Sequence, residues 1–358
     1  MKKERIFYYD WIKCIAIFLV CLYHVGCVNR DIISWPSYTT YFNYFIIGTA
    51  SMGVPLFFMV NGAILLNRNY TLDKHLTRIL TIFALIIAWS IISLVAMAPA
   101  YGDHYTLREF VKAIYVLQQG RINHLWFLQA LLYIYLLFPL IKALYDKEEA
   151  PLLIYLLALL FVFTFGNTFL NTMINTGGYI TGIGFMKSSR NYFDWINPFR
   201  SYYAFSLVYF IVGGILAKNI DTIQVKKNYL VSAVILGLLV LFLFGLIRTK
   251  TDTILFDTVW MGYDSAMILI ASIAVFILCA KINVRNEFVK KYVQLIGANT
   301  LGIYFIHKII FAWLLPYHHF IPNDLLFNII YTAFILLISL CISLLLKKIP
   351  FVRKLVEI

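Results

Sequence analysis

Apolar runs of about twenty residues, separated by shorter polar stretches, are the dominant pattern along this chain. They fall at roughly 9–28, 43–66, 79–99, 125–144, 151–169, 202–217, 228–247, 263–280, 299–315 and 325–346. A helix needs about twenty apolar residues to cross a bilayer core, so each run predicts one transmembrane helix. No repeat of 20–50 residues is visible, and no hydrophilic stretch is long enough for a second domain. The expected fold is therefore an all-α, polytopic membrane protein of about ten transmembrane helices, one integral-membrane domain over residues 1–358. The opening MKKERIF and the run after it imitate a secretory signal. Lys13 and His24 interrupt that run and no small-x-small cleavage site follows, so it reads as a retained first span.

Two of the polar stretches carry patterns of their own. Within 100–124, LREFVKAIYVLQQGR has the apolar spacing of a short interfacial amphipathic helix. Residues 170–201 read as a long loop rich in Gly, Asn, Tyr and Trp. Such residues suit sugar binding, since rings stack on pyranose faces and amides bond hydroxyls. They equally suit an aromatic belt at the membrane interface.

Composition sharpens the class. Hydrophobic residues make up 62% of the chain and charged residues 13%, which excludes a soluble domain of this length. The net charge of +13 is first a topology signal. With a cytoplasmic N-terminus, nineteen Lys and Arg fall in inner segments, nine in outer ones and two, Lys13 and Lys308, inside spans, which accounts for all 30. That excess puts both termini in the cytoplasm and removes any need for a nucleic-acid partner. Abundant Ile, Phe, Tyr, Asn and Lys fit an AT-rich bacterial genome, and so a multi-pass protein of the bacterial cytoplasmic membrane. The oligomeric state is not legible.

Ionisable groups within lipid-length runs are expensive and mark function or partners. Lys13 and His24 share the first span with ten residues between them. Eleven helical steps return to within about 20° of the start and rise roughly 16 Å, so both lie on one face. His24 falls in the outer half, where an imidazole can accept a proton from an attacking hydroxyl. Lys13, deeper toward the cytoplasm, can meet phosphates of a cytoplasmic donor or pair with Asp10. Asn61, with Pro55 and Gly62, puts a polar group within the second span. Behind it Arg68, Lys74, His75 and Arg78 form a basic cytoplasmic cluster, explained by topology or by an anionic phosphate donor. His124 and Trp126 open the fourth span at the outer interface, at a depth near that of His24. Asn299, Thr300, Tyr304, His307 and Lys308 crowd the ninth, with Tyr304 and His307 on one face. No HxxxH, HExxH, CxxC, GxSxG, P-loop or Rossmann pattern occurs, so neither a metal site nor a covalent serine mechanism is expected.

Taken in order, these segments resemble the membrane acyltransferase-3 family. The basic residue, ten residues and histidine of the first span match its signature, as do GVPLFFMVNGAILL, HLWFL…YLLFPL and LGIYFIH. The resemblance runs from Asp10 to His307. It implies transfer of an acyl group, commonly acetyl, from cytoplasmic coenzyme A thioester to hydroxyls of envelope polysaccharides, lipid-linked sugars or exported small molecules. Acyl-CoA is then a substrate, and no bound cofactor is implied. Lys13 and His24 would be the catalytic pair, with His24 the base. Lys74, Arg78 and Lys13 would meet the donor's phosphates. Asn61, His124, Trp126, Tyr304 and His307 would line the substrate pocket. Asn61 stands where many members have serine, and His75-Leu-Thr-Arg78 replaces their Arg-x-x-Arg. WFLQALL places the chain near the compact WFL-type branch and leaves the acceptor open. The rival reading is a polysaccharide or small-molecule transporter, which also needs polar groups at mid-membrane.

Overall fold

A computed structural model describes residues 5–25, 28–116, 120–147, 150–322 and 324–357. Lys2, Lys3, Cys27 and residues 117–119 of the amphipathic stretch lie outside the described residues. Every regular element among those described is helical. Eight helices or helix pairs are long and apolar enough to cross a membrane, and the shorter apolar helices Ala204–Lys218 and Ala266–Ala280 complete the ten predicted segments. The chain divides into two compact units, one made of Met1–Leu19, Asn29–Arg68 and Leu140–Val284, the other of Val20–Val28, Asn69–Pro139 and Arg285–Ile358.

Helix α1 (Phe7–Val25) contributes residues to both units. In the first unit α2 (Tyr38–Gly48) and α3 (Gly53–Leu66) are joined by a tight turn, Thr49–Met52. Helix α3 packs on α9 (Ala204–Lys218) with almost no space between backbones. A Cβ on Gly62 would sit 1.7 Å from the Phe210 carbonyl oxygen, and one on Gly213 would sit 2.1 Å from that of Met59. Small residues at such a seam allow the dense contact that holds membrane helices together, because lipid supplies no hydrophobic drive between them. The C-terminal end of α3 is then closed by polar groups. Lys142 donates to the Leu66 carbonyl at 2.8 Å and Asn67 donates to the Gly214 carbonyl at 3.1 Å.

The fifth span departs from the sequence expectation. Helix α7 (Ala150–Phe161), a π-helical turn (Val162–Gly166) and α8 (Asn167–Thr181) run on as one segment, so the loop predicted from residue 170 begins only at 182. Asn167, Asn171 and Asn175 recur every four residues and form a ladder on one side of α8. Each bonds the backbone of the returning strand of loop: Asn167 accepts from Tyr192, Asn171 exchanges two bonds with Arg190, and Asn175 donates to the Met186 carbonyl at 2.8 Å. Arg248, on α10 (Lys227–Asp252), donates to Asn175 and to the Lys187 carbonyl from the other side. Asparagines that read as loop formers are a helix face that holds a loop.

In the second unit α4 (Leu72–Tyr101) is followed by α5 (Leu107–Val116), the amphipathic helix the sequence predicts. It opens with a reciprocal cap, Thr106 N–H donating to Glu109 at 2.9 Å and Glu109 N–H to the Thr106 hydroxyl at 3.3 Å. Helices α6 (Trp126–Asp146), α12 (Glu287–Gly297), α13 (Thr300–Leu314) and α14 (Leu325–Leu346) follow, residues 140–146 of α6 belonging to the first unit. Trp89 of α4 stacks on Phe305 of α13, ring centroids 4.5 Å apart, and donates to the Leu355 carbonyl at 2.7 Å. Trp313 donates to the Ala96 carbonyl at 2.9 Å. A Cβ on Gly302 would approach Ser343 Oγ to 2.0 Å, so α13 is held closely against α14 as well. The helix that carries Tyr304 and His307 is thereby fixed on two sides.

The α3–α9 seam has a direct test. Gly62→Ala and Gly213→Ala should each lower stability by about 1–3 kcal/mol, as overpacking against unyielding backbone does. Gly184→Ala, whose Cβ would meet nothing within 4 Å, should leave the thermal midpoint in detergent unchanged. Equal midpoints for all three variants would refute the seam.

Candidate active site

Three imidazoles meet within the second unit. His24 sits in the last turn of α1, His124 in the turn Gly120–Leu125 that precedes α6, and His307 in the middle of α13. Ring centroids are 5.3 Å apart for His24 and His307, 6.0 Å for His124 and His307, and 6.4 Å for His24 and His124. His124 and His307 are each 1% exposed, whereas His24 is half-buried. The cluster therefore has a closed side and a reachable member.

Backbone carbonyls set the state of His307. Its Nδ1 lies 2.6 Å from the Tyr304 carbonyl and 3.3 Å from that of Ile303. A carbonyl only accepts, so Nδ1 carries the hydrogen and the neutral ring keeps its lone pair on Nε2. Nε2 is buried with no hydrogen-bond partner among the described residues. A buried acceptor left open is costly, and at this cluster a bound hydroxyl could complete the bonding. Tyr304 ties the cluster together: its hydroxyl donates to the His124 carbonyl, and its ring lies 5.9 Å from His124. Among the described residues, no group of three His, Cys, Asp or Glu is arranged to hold a metal ion.

The turn bearing His124 is anchored by a pair that the sequence reading passed over. Arg121 bonds both oxygens of Asp103, at 2.7 and 3.1 Å, and lies over the Tyr101 ring at 3.7 Å. The Arg121 guanidinium holds the Asp103 carboxyl below the usual carboxylate range. The available signal was charge: one Asp and one Arg close the two ends of the 100–124 segment.

The other candidate residues are placed elsewhere. Lys13 pairs with Asp10 at 3.7 Å in the first unit, where Arg5 also bonds Asp10 at 2.5 and 2.9 Å. Lys13 and His24 remain on one unbroken helix. Asn61 donates to the Phe57 carbonyl of its own helix at 2.9 Å, which satisfies its amide locally. Lys74 and Arg78 are exposed on the first turns of α4. His75 does not join them: it is 3% exposed, stacks on Tyr135 at 5.4 Å, and bonds the Tyr135 carbonyl at 2.7 Å through Nε2. It is a packing residue because the helix repeat turns it inward between two outward cations. Trp126 is 5% exposed, so it is an interior residue and not the interface anchor its position suggested. Lys308, next to His307, is half-buried.

The family model for an acyltransferase domain, Acyl_transf_3, matches residues 6–348 of the chain. No curated protein and no solved structure matches it significantly.

The Asp103–Arg121 pair makes a pH-dependent contribution that can be measured. Its folded-state carboxyl value is lowered, so the stabilisation is fully present above the ordinary carboxylate value of about 4 and fades as pH falls through the lowered one. Both side chains are partly exposed, at 39% and 23%, which limits the effect to about 1 kcal/mol. The stability difference between wild type and Asp103→Asn should thus be constant at neutral pH and shrink only in acid. A difference that grows on acidification would refute the pairing.

Proposed function

Because the chain belongs to the membrane acyltransferase-3 family, we propose that it moves an acyl group, acetyl above all, from cytoplasmic acyl-CoA to a hydroxyl of a cell-envelope sugar or lipid-linked sugar. The observation that carries this reading is the cluster of His24, His124 and His307, two buried and one reachable, with His307 held in a single tautomer. His24 takes the proton of the acceptor hydroxyl as its oxygen attacks the thioester carbonyl. A carbon–oxygen bond forms, the carbon–sulfur bond breaks, and the proton passes from His24 to the departing coenzyme A sulfur. No external oxidant or cofactor is needed.

His307 and His124 act as the positioning side of this arrangement. His307 Nε2 is an acceptor for a proton-bearing neighbour, and the Tyr304 hydroxyl fixes the backbone at His124. Holding reactants in a dry, preorganised site supplies orientation and strengthens electrostatic stabilisation. On the cytoplasmic side, the exposed Lys74 and Arg78 are suited to the donor's phosphates. Lys13 remains a donor-side candidate, with Asp10 holding its ammonium until an anionic ligand arrives.

The test uses purified protein, labelled acetyl-CoA and an envelope glycan extract. Wild type should label the glycan, and His24→Ala should label it about 10²–10⁴-fold more slowly, the usual weight of a general base. Lys74→Ala and Arg78→Ala should raise KM for acetyl-CoA with little change in kcat. Equal labelling by wild type and His24→Ala would remove His24 from the chemistry. Energy-dependent uptake of sugar without labelling would replace the enzyme by a transporter.

A further inference from the structure

The first unit holds a cleft that the acyl-transfer cluster does not use. Its walls come from the π-helical turn and start of α8, from the loop over residues 191–202, and from the segment that leads into α11 (Ala266–Ala280), and it encloses about 230 Å³. Drug-sized ligands occupy pockets of roughly 300–1,000 Å³, so this one suits a single small ring. Both connecting segments follow odd-numbered spans, which the Lys and Arg count assigns to the outer side.

We propose that this cleft binds one uncharged sugar ring, a hexose or N-acetylhexosamine unit, of the acceptor. The proposal rests on the acyl-acceptor being a sugar, and names where that sugar is held.

One wall is aromatic. Tyr202 and Trp260 lie nearly parallel, 26° apart with centroids at 5.8 Å, and Tyr202 is 56% exposed. Flat, partly exposed rings offer their faces to the C–H side of a pyranose, and Trp is best suited to this by size and quadrupole. The rest of the lining includes polar groups. Thr168 donates to Asp264 Oδ2 at 2.6 Å, which orients the carboxyl group toward the cleft that Asp264 lines. The Asp264 carboxyl oxygens can accept from a ring hydroxyl. Asn197 adds an amide whose oxygen is held by the Phe199 N–H at 2.7 Å, and this fixes which way the group points.

Charge balance selects an uncharged ring. Among the described residues of the lining, Arg200 is the one cation against the carboxyl groups of Asp194 and Asp264, and it donates to the Asp194 carbonyl at 2.6 Å. No surplus positive charge is left for a phosphate or a uronic acid. The loop itself is held from beneath by the asparagine ladder of α8, so the cleft is preorganised.

The test measures binding without chemistry. Purified wild-type protein, with no acyl donor, is titrated with chitotriose and with cellotriose by calorimetry or saturation-transfer NMR. At least one should bind, and Asp264→Asn and Trp260→Ala should each weaken it roughly tenfold, the loss of one well-made contact. His24→Ala should bind as wild type does. Tyr202→Ala, at a half-exposed ring, serves if Trp260→Ala fails to fold. Failure of both trisaccharides to bind at millimolar concentration would overturn the proposal. So would acyl transfer whose acceptor KM is unchanged in these variants, and that result would leave the enzyme reading intact. Binding that the variants weaken, without any acyl transfer, would keep the cleft and refute the acyl-acceptor reading.

Discussion

No water in a bilayer core bonds to a peptide or side-chain polar group, so each must find its partner within the protein. That constraint makes every regular element described here a helix. It also explains many of the polar residues of these helices. Lys142 closes the carbonyl end of α3, and His75 bonds the Tyr135 carbonyl. Asn61, Ser90, Thr332 and Ser339 return to carbonyls four residues back on their own helices. The asparagine ladder of α8 takes up the backbone of a loop. At the imidazole cluster the rule is left open: among the described residues His307 Nε2 and both ring nitrogens of His124 are buried without a hydrogen-bond partner, beside His24.

The residues about the imidazole cluster are held by rigid surroundings. Helix α13 is pinned by the Trp89–Phe305 stack, the Trp313 bond and the close approach at Gly302. The turn bearing His124 is pinned by Arg121 and Asp103. Those contacts cost nothing at the moment of reaction, because the groups are ordered beforehand. In the first unit the same logic holds a loop against α8, so that aromatic and carboxyl groups face one cleft. The chain belongs to an acyltransferase family, and the proposed acyl transfer is what these imidazoles would serve.

Residues that look alike in the sequence receive opposite roles. His75 and His124 are both histidines at the edges of apolar runs. One is stacked and bonded through its ring to a neighbouring carbonyl, and the other faces two more imidazoles. Lys13 lies within the first span and Lys142 at the cytoplasmic end of the fourth, yet Lys13 pairs with an aspartate that Arg5 already holds, and Lys142 caps a helix. Asn167, Asn171 and Asn175 sit in a stretch with the composition of a loop, and they extend a helix by a further three turns because a loop is there to receive them.

The class, the ten apolar segments, the amphipathic helix over 107–116 and the family were all legible along the chain, because each depends on periodicity or on residues close together in sequence. It also singled out His24, His124, Tyr304 and His307, since polar groups are conspicuous in apolar runs. Which of them meet is settled by packing alone. His24 and His307 are separated by most of the chain and become neighbours through packing, which no local pattern encodes. The burial of His75 and Trp126, the Asp103–Arg121 anchor and the gathering of Trp260, Tyr202 and Asp264 about one cleft were likewise invisible. Each depends on where a partner from another segment stands, and in lipid it is the partner that decides whether a polar side chain is structure or site.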